Sequence, residues 1–240
     1  MEIIMTARQT FEIVKNKTNP RIKLLGDSIT HGVGGDGFKQ DGEPIVGEFR
    51  RNPHGYCWAK SFAAVMAERY GAAVINNACT GTNIEFVIEN FDTLVDPCDD
   101  LVICTIGTNN RHQYKKTGAK RSRDEMTATF YSNILTLDAK FRAIGVPVIF
   151  VANIPATVEN EKDREDFWRI LHMKDITDLY KLACVECSFP FISLYDAMNE
   201  YLRREGKMLE EYLPDGLHPN NAGYDVMLKL ILDALGEREY

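Results

Sequence analysis

The sequence has no apolar run that approaches the roughly 18 consecutive residues required by a membrane-spanning helix. Its first residues, Met1 to Arg8, show no basic segment followed by an apolar core, the pattern of a secretory signal peptide. We therefore expect no membrane insertion, and a cytoplasmic location is the default expectation.

An excess of positive charge is also missing. The formal net charge is -7 at pH 7, which argues against a general binder of nucleic acid or of anionic membranes. The 6 cysteines are spread along the chain in apolar surroundings. In a cytosolic protein of this size, such cysteines are expected to be free, buried thiols rather than disulfides.

What the sequence does contain is the composition of an ordinary globular protein, 45% hydrophobic and 26% charged. Apolar segments alternate with segments of helical spacing, and five of them have the character of buried strands: 22–26, 72–78, 100–106, 147–152 and 189–193. This βαβα order predicts a parallel sheet covered by helices on both faces. No internal repeat and no domain boundary is visible.

Two stretches fit this scheme poorly. Residues 1–20 alternate imperfectly and are expected to form an N-terminal arm or edge hairpin before a single domain at 21–240. Residues 32–55 are rich in glycine and polar side chains and predict a long insertion on the surface. Residues 163–185 are expected to be helical.

The first strand runs without a break into Gly26-Asp27-Ser28, which places a hydroxyl at the rim of the sheet. Ser28 could simply cap the next helix. As a nucleophile it needs a base, since a serine alcohol reacts poorly until its proton is removed.

A base for Ser28 is available late in the chain, in Asp215-Gly-Leu-His218. His218 could accept the proton, and Asp215 could orient the imidazole and stabilise its charged form. His31 and His54 are rivals for the role of base.

Donors for a developing oxyanion are expected at the same edge of the sheet. The backbone N–H groups of Ser28 and Gly81 and the side-chain amide of Asn109 are the candidates, and glycine allows close approach of a substrate.

These blocks, Gly26-Asp-Ser-Ile-Thr30, Gly81, Gly107-Thr-Asn109 and Asp215-Gly-Leu-His218, resemble in chain order those of the GDSL/SGNH hydrolase family. The resemblance implies a three-layer α/β/α, flavodoxin-like sheet and ester hydrolysis through an acyl-enzyme, without a metal or other cofactor. It implies Ser28 as nucleophile, Gly81 and Asn109 as oxyanion donors, Asp215 as orienter and His218 as base.

The sequence departs from the family pattern at Asn110, where the family often has aspartate in a structural role. Asp27 is expected to accept hydrogen bonds from nearby backbone N–H groups. Asp27, His31, His54 and Tyr56 are also our candidates for contact with the substrate.

Other motifs are weaker. Gly32-Val-Gly-Gly-Asp-Gly37 fits a dinucleotide-binding pattern, but it opens no helix. The Cys184/Cys187 pair has no second pair with which to bind zinc. The basic stretch from Arg111 to Arg123 is either a solvated loop or a lid that meets an anionic or sugar substrate.

The sequence thus predicts a serine esterase that acts on a small acyl ester, with an O-acetylated carbohydrate as the leading substrate. The polar insertion favours a polar alcohol portion over a lipid. A lysophospholipase or thioesterase of the same chemistry, and a binding module without turnover, are the alternatives.

Overall fold

The computed structural model describes residues 5–38 and 55–237. The described residues form seven strands: β1 (Arg21–Gly26), β2 (Ala73–Asn76), β3 (Leu101–Thr105), β4 (His112–Tyr114), β5 (Val148–Ala152), β6 (Phe167–Arg169) and β7 (Phe191–Ser193). Five of them form a parallel sheet in the order β2-β1-β3-β5-β7. Without β4 and β6, this is the strand order of flavodoxin. The five predicted strands and their parallel arrangement are confirmed.

Nine helices accompany these strands in the described segments: α1 (Ala7–Lys15), α2 (Ser28–His31), α3 (Trp58–Tyr70), α4 (Ile84–Glu89), α5 (Phe91–Leu94), α6 (Arg123–Ile144), α7 (Met173–Cys187), α8 (Leu194–Glu205) and α9 (Asn221–Leu235). A 3₁₀ turn also covers Thr108–Arg111. Helix α3 ends at Gly71, which adopts the left-handed conformation that glycine favours, with φ of 62°.

The helices cover both faces of the sheet, which gives three layers. Helices α1, α3, α8 and α9 pack on one face against side chains such as Leu24 and Ile103. Helices α4 to α7 pack on the other face against alternate residues of the same strands, such as Leu25 and Cys104. The inner strands β3 and β5 are buried at every position, which explains their almost unbroken apolar runs in the sequence.

The N-terminal region departs from our expectation. Residues 7–15 form helix α1 instead of an edge hairpin, and its start carries a capping box between Thr6 and Gln9. Phe11 and Val14 are buried in the core shared with α9. The pattern that resembled imperfect alternation comes from the apolar residues on one face of this short amphipathic helix.

Removal of the Phe11 ring should destabilise the whole protein. Phe11 is 0% exposed, so we expect Phe11→Ala to lower the free energy of unfolding by about 3–5 kcal/mol. Ile13 on the same helix is 58% exposed, and Ile13→Ala should change the free energy of unfolding by less than about 0.5 kcal/mol. Urea unfolding of both variants tests the prediction, and equal effects would contradict the packing of α1.

Residues 163–172 were expected to be helical, and they are not. They contain β6, which pairs antiparallel with β4, and helix α7 begins only at Met173. This small two-stranded sheet is formed from the segments that follow β3 and β5. It therefore lies on the side of the molecule where the parallel strands end.

All six cysteines are free thiols. Cys57, Cys79 and Cys104 are buried as expected, whereas Cys98 is exposed and the Cys184/Cys187 pair is partly exposed. Within residues 5–38 and 55–237, no helix has the length and apolar character needed to cross a membrane.

Candidate active site

Ser28 is the first residue of α2 and is separated from the end of β1 by Asp27 alone. The cap of this helix is Asp27, whose carboxylate accepts the N–H of Ile29 at 3.0 Å. The Ser28 hydroxyl is therefore not the helix cap, which excludes that interpretation. It lies 2.8 Å from Nε2 of His218, although 190 positions separate the two residues in the chain.

The tight passage from strand to helix requires a glycine at position 26. A Cβ on Gly26 would overlap the side-chain hydroxyls of Thr30 and Thr105, which contact each other directly beside it. Gly26 is paired with Thr105 in the sheet, so the ends of β1 and β3 lie side by side. This pairing brings Ser28 next to the turn that follows β3.

Asp215 holds the other side of the His218 ring. Its Oδ2 lies 2.7 Å from Nδ1 of His218, and its Oδ1 accepts the backbone N–H groups of His218 at 2.7 Å and Leu217 at 2.9 Å. Partial burial raises the pKa of Asp215, but these hydrogen bonds outweigh it and leave the pKa well below its usual range. Asp215 is thus a carboxylate at neutral pH.

The protonation pattern follows from these contacts. A carboxylate can only accept, so Nδ1 of a neutral His218 carries the proton. Nε2 then presents its lone pair to the Ser28 hydroxyl. A hydroxyl, an imidazole and a carboxylate linked in this order can transfer a proton from the alcohol to the ring.

The loop that carries Asp215 and His218 is fastened to the segment after β5. Thr157 donates its backbone N–H to the carbonyl of Gly216 at 2.9 Å. Gly216 has φ of 84°, and a Cβ there would lie 2.5 Å from the Thr157 hydroxyl oxygen. The loop therefore requires glycine at this position for two independent reasons.

Gly81 lies in a turn that is tied to the end of β1. The Gly26 carbonyl accepts the N–H of Cys79 at 3.1 Å and the hydroxyl of Thr82 at 2.9 Å. Gly81 has φ of 83°, and no atom lies within 4 Å of the position its Cβ would take. The turn thus presents an open stretch of backbone at the site.

A hydrogen bond also joins the Asn109 side chain to the turn that contains Gly81. Asn109 lies in the 3₁₀ turn after β3 and donates its side-chain amide to the carbonyl of Thr82 at 2.7 Å. The structure therefore places the segments carrying Ser28, Gly81 and Asn109 around a single point on the edge of the sheet.

Asn110, the departure from the family pattern, has a structural environment. Its side-chain oxygen accepts the N–H of Ile84 at 3.0 Å, and its Nδ2 donates to Glu85 at 2.7 Å. An aspartate at this position would face Glu85 as a second carboxylate. Asparagine avoids that repulsion because it supplies a donor.

Asp27 does not lie where a substrate could contact it, which corrects that part of our expectation. It is 0% exposed, and burial raises the pKa of its carboxyl group above the usual value, although bonds from Thr108 and Ile29 oppose the shift. Its hydrogen bond to the Ile29 N–H is the backbone contact that we expected. Asp27 is a structural support beneath Ser28.

The other expected substrate contacts also change. His31 is buried, and its Nδ1 lies 2.9 Å from the Thr80 hydroxyl, so His31 supports the Gly81 turn from behind. The Tyr56 hydroxyl contacts Asp225 on α9 rather than the segments around Ser28. His54, the third histidine considered, lies outside the described residues.

Asn153 is a residue at this site that the sequence analysis left without a role. Its Nδ2 donates to the Thr108 hydroxyl at 2.8 Å and lies 3.3 Å from Asp27 Oδ2 and from the Thr105 carbonyl. It therefore links the segments that follow β1, β3 and β5. The available signal was a polar residue directly after a buried strand, the same signal that identified Ser28.

Arg111, the first residue of the basic stretch, has a different environment from the basic residues that follow it. Its guanidinium is fully buried, pairs with Glu161 at 2.8 Å and donates through Nε to the Thr108 carbonyl at 2.9 Å. The lysines and arginines from 115 to 123 are exposed. Arg111 is thus a support for the turn that carries Asn109, and not part of a solvated loop.

The model of the GDSL-like Lipase/Acylhydrolase family matches residues 24–226. The chain belongs to this family. A Mycoplasma pneumoniae protein described only as "Uncharacterized protein" is 30% identical over 105 residues, which are 43% of this chain and 10% of that protein. The chain thus spans about a tenth of the length of this relative.

Solved structures confirm the fold. An α/β hydrolase enzyme from the metagenome of Lake Arreo, Spain, superposes with a TM-score of 0.68 at 19% identity, over 95% of this chain and 100% of its own. The acetylxylan esterase Axe2 from Geobacillus stearothermophilus gives 0.66 at 20% identity, over 92% of this chain and 96% of its own. At these identities the likeness establishes the architecture alone.

Proposed function

We propose that this protein hydrolyses esters of small acyl groups, acetate first among them, through an acyl-enzyme on Ser28. The observation that carries the proposal is the unbroken set of contacts from Ser28 to His218 to Asp215, at 2.8 Å and 2.7 Å. Membership of a family of ester hydrolases supports it independently.

In the first half of the reaction, Ser28 Oγ forms a bond to the ester carbonyl carbon while its proton moves to Nε2 of His218. The carbonyl electrons become an oxyanion, for which the N–H groups of Ser28 and Gly81 and the amide of Asn109 are the donors. When the tetrahedral intermediate collapses, the bond to the alcohol oxygen breaks. The alcohol leaves with the proton held by His218.

In the second half, His218 accepts a proton from water, and the resulting nucleophile attacks the acyl carbon on Ser28. Collapse of this second intermediate breaks the bond to Oγ, and His218 returns its proton to Ser28. The carboxylic acid departs and the enzyme is restored. Asp215 stays ionised throughout and stabilises His218 whenever the ring is positively charged.

The surroundings of the site favour a short acyl chain. A cavity of about 530 Å³ with apolar walls lies at the opposite edge of the sheet, beside Gly145 and Val146 at the start of β5. It is therefore remote from Ser28 and offers no room for a fatty acyl group during catalysis. The cavity next to Asn109 measures about 220 Å³, and its lining is as much polar as apolar.

A series of esters with one alcohol and different acyl groups tests this proposal. We expect kcat/KM to fall by roughly tenfold or more from acetate through butyrate to octanoate of p-nitrophenol, because the apolar cavity beside Val146 lies too far from Ser28 to bury a longer chain. Preference for octanoate would instead favour a lysophospholipase or thioesterase. A folded protein that hydrolyses none of these esters would indicate a binding module.

A further inference from the structure

Arg111 carries a fully buried positive charge close to the site. It is the last residue of the 3₁₀ turn Thr108–Arg111, here called the oxyanion turn because it contains the proposed oxyanion donor Asn109. Its exposed fraction is 0%. A buried guanidinium needs partners for its N–H groups and for its charge, and its planar shape fixes where those partners lie. The partners of Arg111 therefore show which parts of the site it connects.

One side of the guanidinium holds the oxyanion turn itself. Nε of Arg111 donates to the Thr108 carbonyl at 2.9 Å. Asn109 follows Thr108 directly, so this bond fixes the backbone that carries the Asn109 amide. The end of the turn is held as well, because the Arg111 carbonyl accepts the N–H groups of Ile170 at 2.9 Å and Leu171 at 3.0 Å.

The other side of the guanidinium holds the segment that follows β5. Nη1 donates to Glu161 at 2.8 Å, and Nη2 donates to the side-chain oxygen of Asn160 at 3.3 Å. Glu161 is fixed in turn, since its second carboxylate oxygen accepts the N–H of Met173 at the start of α7, at 2.9 Å. Arg111 thus joins the oxyanion turn to this second segment.

Asn160 continues the connection to the loop that carries the base. A Cβ on Gly216 would lie 3.2 Å from the Cβ of Asn160 and 2.5 Å from the Thr157 hydroxyl oxygen, so Gly216 packs directly against both residues. Gly216 stands between Asp215 and His218 in the chain. The guanidinium therefore reaches the oxyanion donor on one side and the base loop on the other, each through a single intermediate residue.

The charge of Arg111 also acts on the residue beneath the nucleophile. Burial lowers the pKa of Arg111, whereas the charges of Glu161 and Asp27 raise it. Burial in turn raises the pKa of Asp27, and Arg111 is among the charges that oppose this shift. Asp27 caps α2 and precedes Ser28. The segments that supply nucleophile, oxyanion donor and base thus all interact with one guanidinium, directly or through one neighbour.

We propose that Arg111 is a positioning residue, which holds the oxyanion turn and the Asp215–His218 loop at the separation that the tetrahedral intermediate requires. This inference rests on the ester hydrolysis proposed above. A displacement of about 1 Å can cost roughly 10²-fold in rate. Because the intermediate needs both the donor and the base, whereas the bound ester does not, the effect falls on kcat and not on KM.

Arg111→Lys tests this role with the least disturbance of the buried charge. The lysine keeps a positive charge near Glu161 but has no planar fork that reaches Thr108 and Asn160 together. For p-nitrophenyl acetate we expect kcat to fall roughly 10- to 100-fold, with KM within about threefold of wild type. A rise in KM with unchanged kcat would overturn the proposal.

Inhibition by phenylboronic acid gives a readout that a general loss of packing would not reproduce. The Ser28 oxygen bonds to the boron atom and the serine proton moves to His218, which gives a tetrahedral anion with no other bond broken. This anion resembles the proposed intermediate, so its dissociation constant should rise in Arg111→Lys by about the factor by which kcat falls. A wild-type dissociation constant combined with a lowered kcat would contradict a role in positioning.

Arg169→Lys is the matched control. Arg169 is also buried and donates to the carbonyl and the side-chain oxygen of Asn160 at 3.2 Å and 3.4 Å. Within the described part of the chain, none of its hydrogen bonds goes to Thr108. We expect Arg169→Lys to lower the thermal stability but to keep kcat within about threefold of wild type. Equal losses of kcat in the two lysine variants, at equal thermal stability, would leave Arg111 only a structural role.

Asn160→Ala provides a second variant, which leaves the ion pair of Arg111 with Glu161 in place. It removes the side chain that continues toward Gly216, so we expect kcat to fall roughly tenfold. In the double variant with Arg111→Lys the two losses should not multiply, because both act through one connection. Fully multiplicative losses would refute the connection. If Arg111→Lys does not fold, Asn160→Ala compared with Arg169→Lys decides.

The same assays separate this inference from the proposed function. An active wild type whose kcat is lowered by neither Arg111→Lys nor Asn160→Ala would refute the role of Arg111 alone. A folded wild type that hydrolyses no ester would instead overturn catalysis by Ser28, and the role of Arg111 with it.

Discussion

Replacement of Ser28 by alanine should lower kcat/KM for acetate esters on the order of 10⁴- to 10⁶-fold. The variant keeps the oxyanion donors and the substrate contacts but has no atom on which the acyl group can be carried. The fold should persist, because Asp27 and not Ser28 caps helix α2. Initial rates with purified variant, checked by circular dichroism, provide the measurement.

Ser193 offers a matched control for this substitution. It stands at the start of α8 and accepts the N–H of Asp196 at 3.2 Å, so it has the capping role that Ser28 lacks. Ser193→Ala should cost about 1 kcal/mol of stability and leave kcat/KM unchanged. If Ser28→Ala keeps more than about a hundredth of the wild-type rate, Ser28 is not the nucleophile.

Replacement of His218 by alanine should have an effect of similar size, because the Ser28 hydroxyl then loses the group that takes its proton. The double variant Ser28→Ala with His218→Ala should be no slower than either single variant, since both residues act in the same step. The exposed His172 is the control, and His172→Ala should retain full activity.

The pH dependence of the same variants gives a second readout. Wild-type kcat/KM should rise with pH where the general base becomes unprotonated, because only an unprotonated base can accept the Ser28 proton. Asp215 does not contribute to this rise, since its lowered pKa keeps it ionised across the assay range. In His218→Ala this limb should vanish, and an unchanged profile would assign the base to another group.

The sequence predicted the central sheet well because its strands are buried on both faces. An apolar run as short as Val148–Ala152 is typical of a strand buried on both faces of such a sheet. The carboxyl ends of parallel strands share one edge, and this rule correctly brought Ser28 and Asn109 to neighbouring turns. The Asp215 and His218 side chains also lie where the local spacing suggested.

The errors came from segments whose structure depends on partners distant in the sequence. Helix α1 is short, and packing of Phe11 against the α9 side of the core, rather than local propensity, defines it. Strand β6 is only Phe167–Arg169 and acquires its structure from β4. Nothing in the three residues of β6 distinguishes a strand from the start of a helix.

The expected substrate contacts of Asp27 and His31 are wrong for a similar reason. Asp27 and His31 are next to Ser28 in the sequence, yet the turn from β1 into α2 directs both side chains into the protein. The Tyr56 side chain is directed to Asp225 on α9. Proximity along the chain does not determine which side of a tight turn a side chain occupies.

The central claim is that Ser28 carries the acyl group, and a fluorophosphonate probe tests it most directly. Reaction with wild type followed by mass spectrometry should give one adduct per chain, located on Ser28 and accompanied by loss of esterase activity. Ser28→Ala should give none. An adduct on another residue, or equal labelling of Ser28→Ala, would contradict the account.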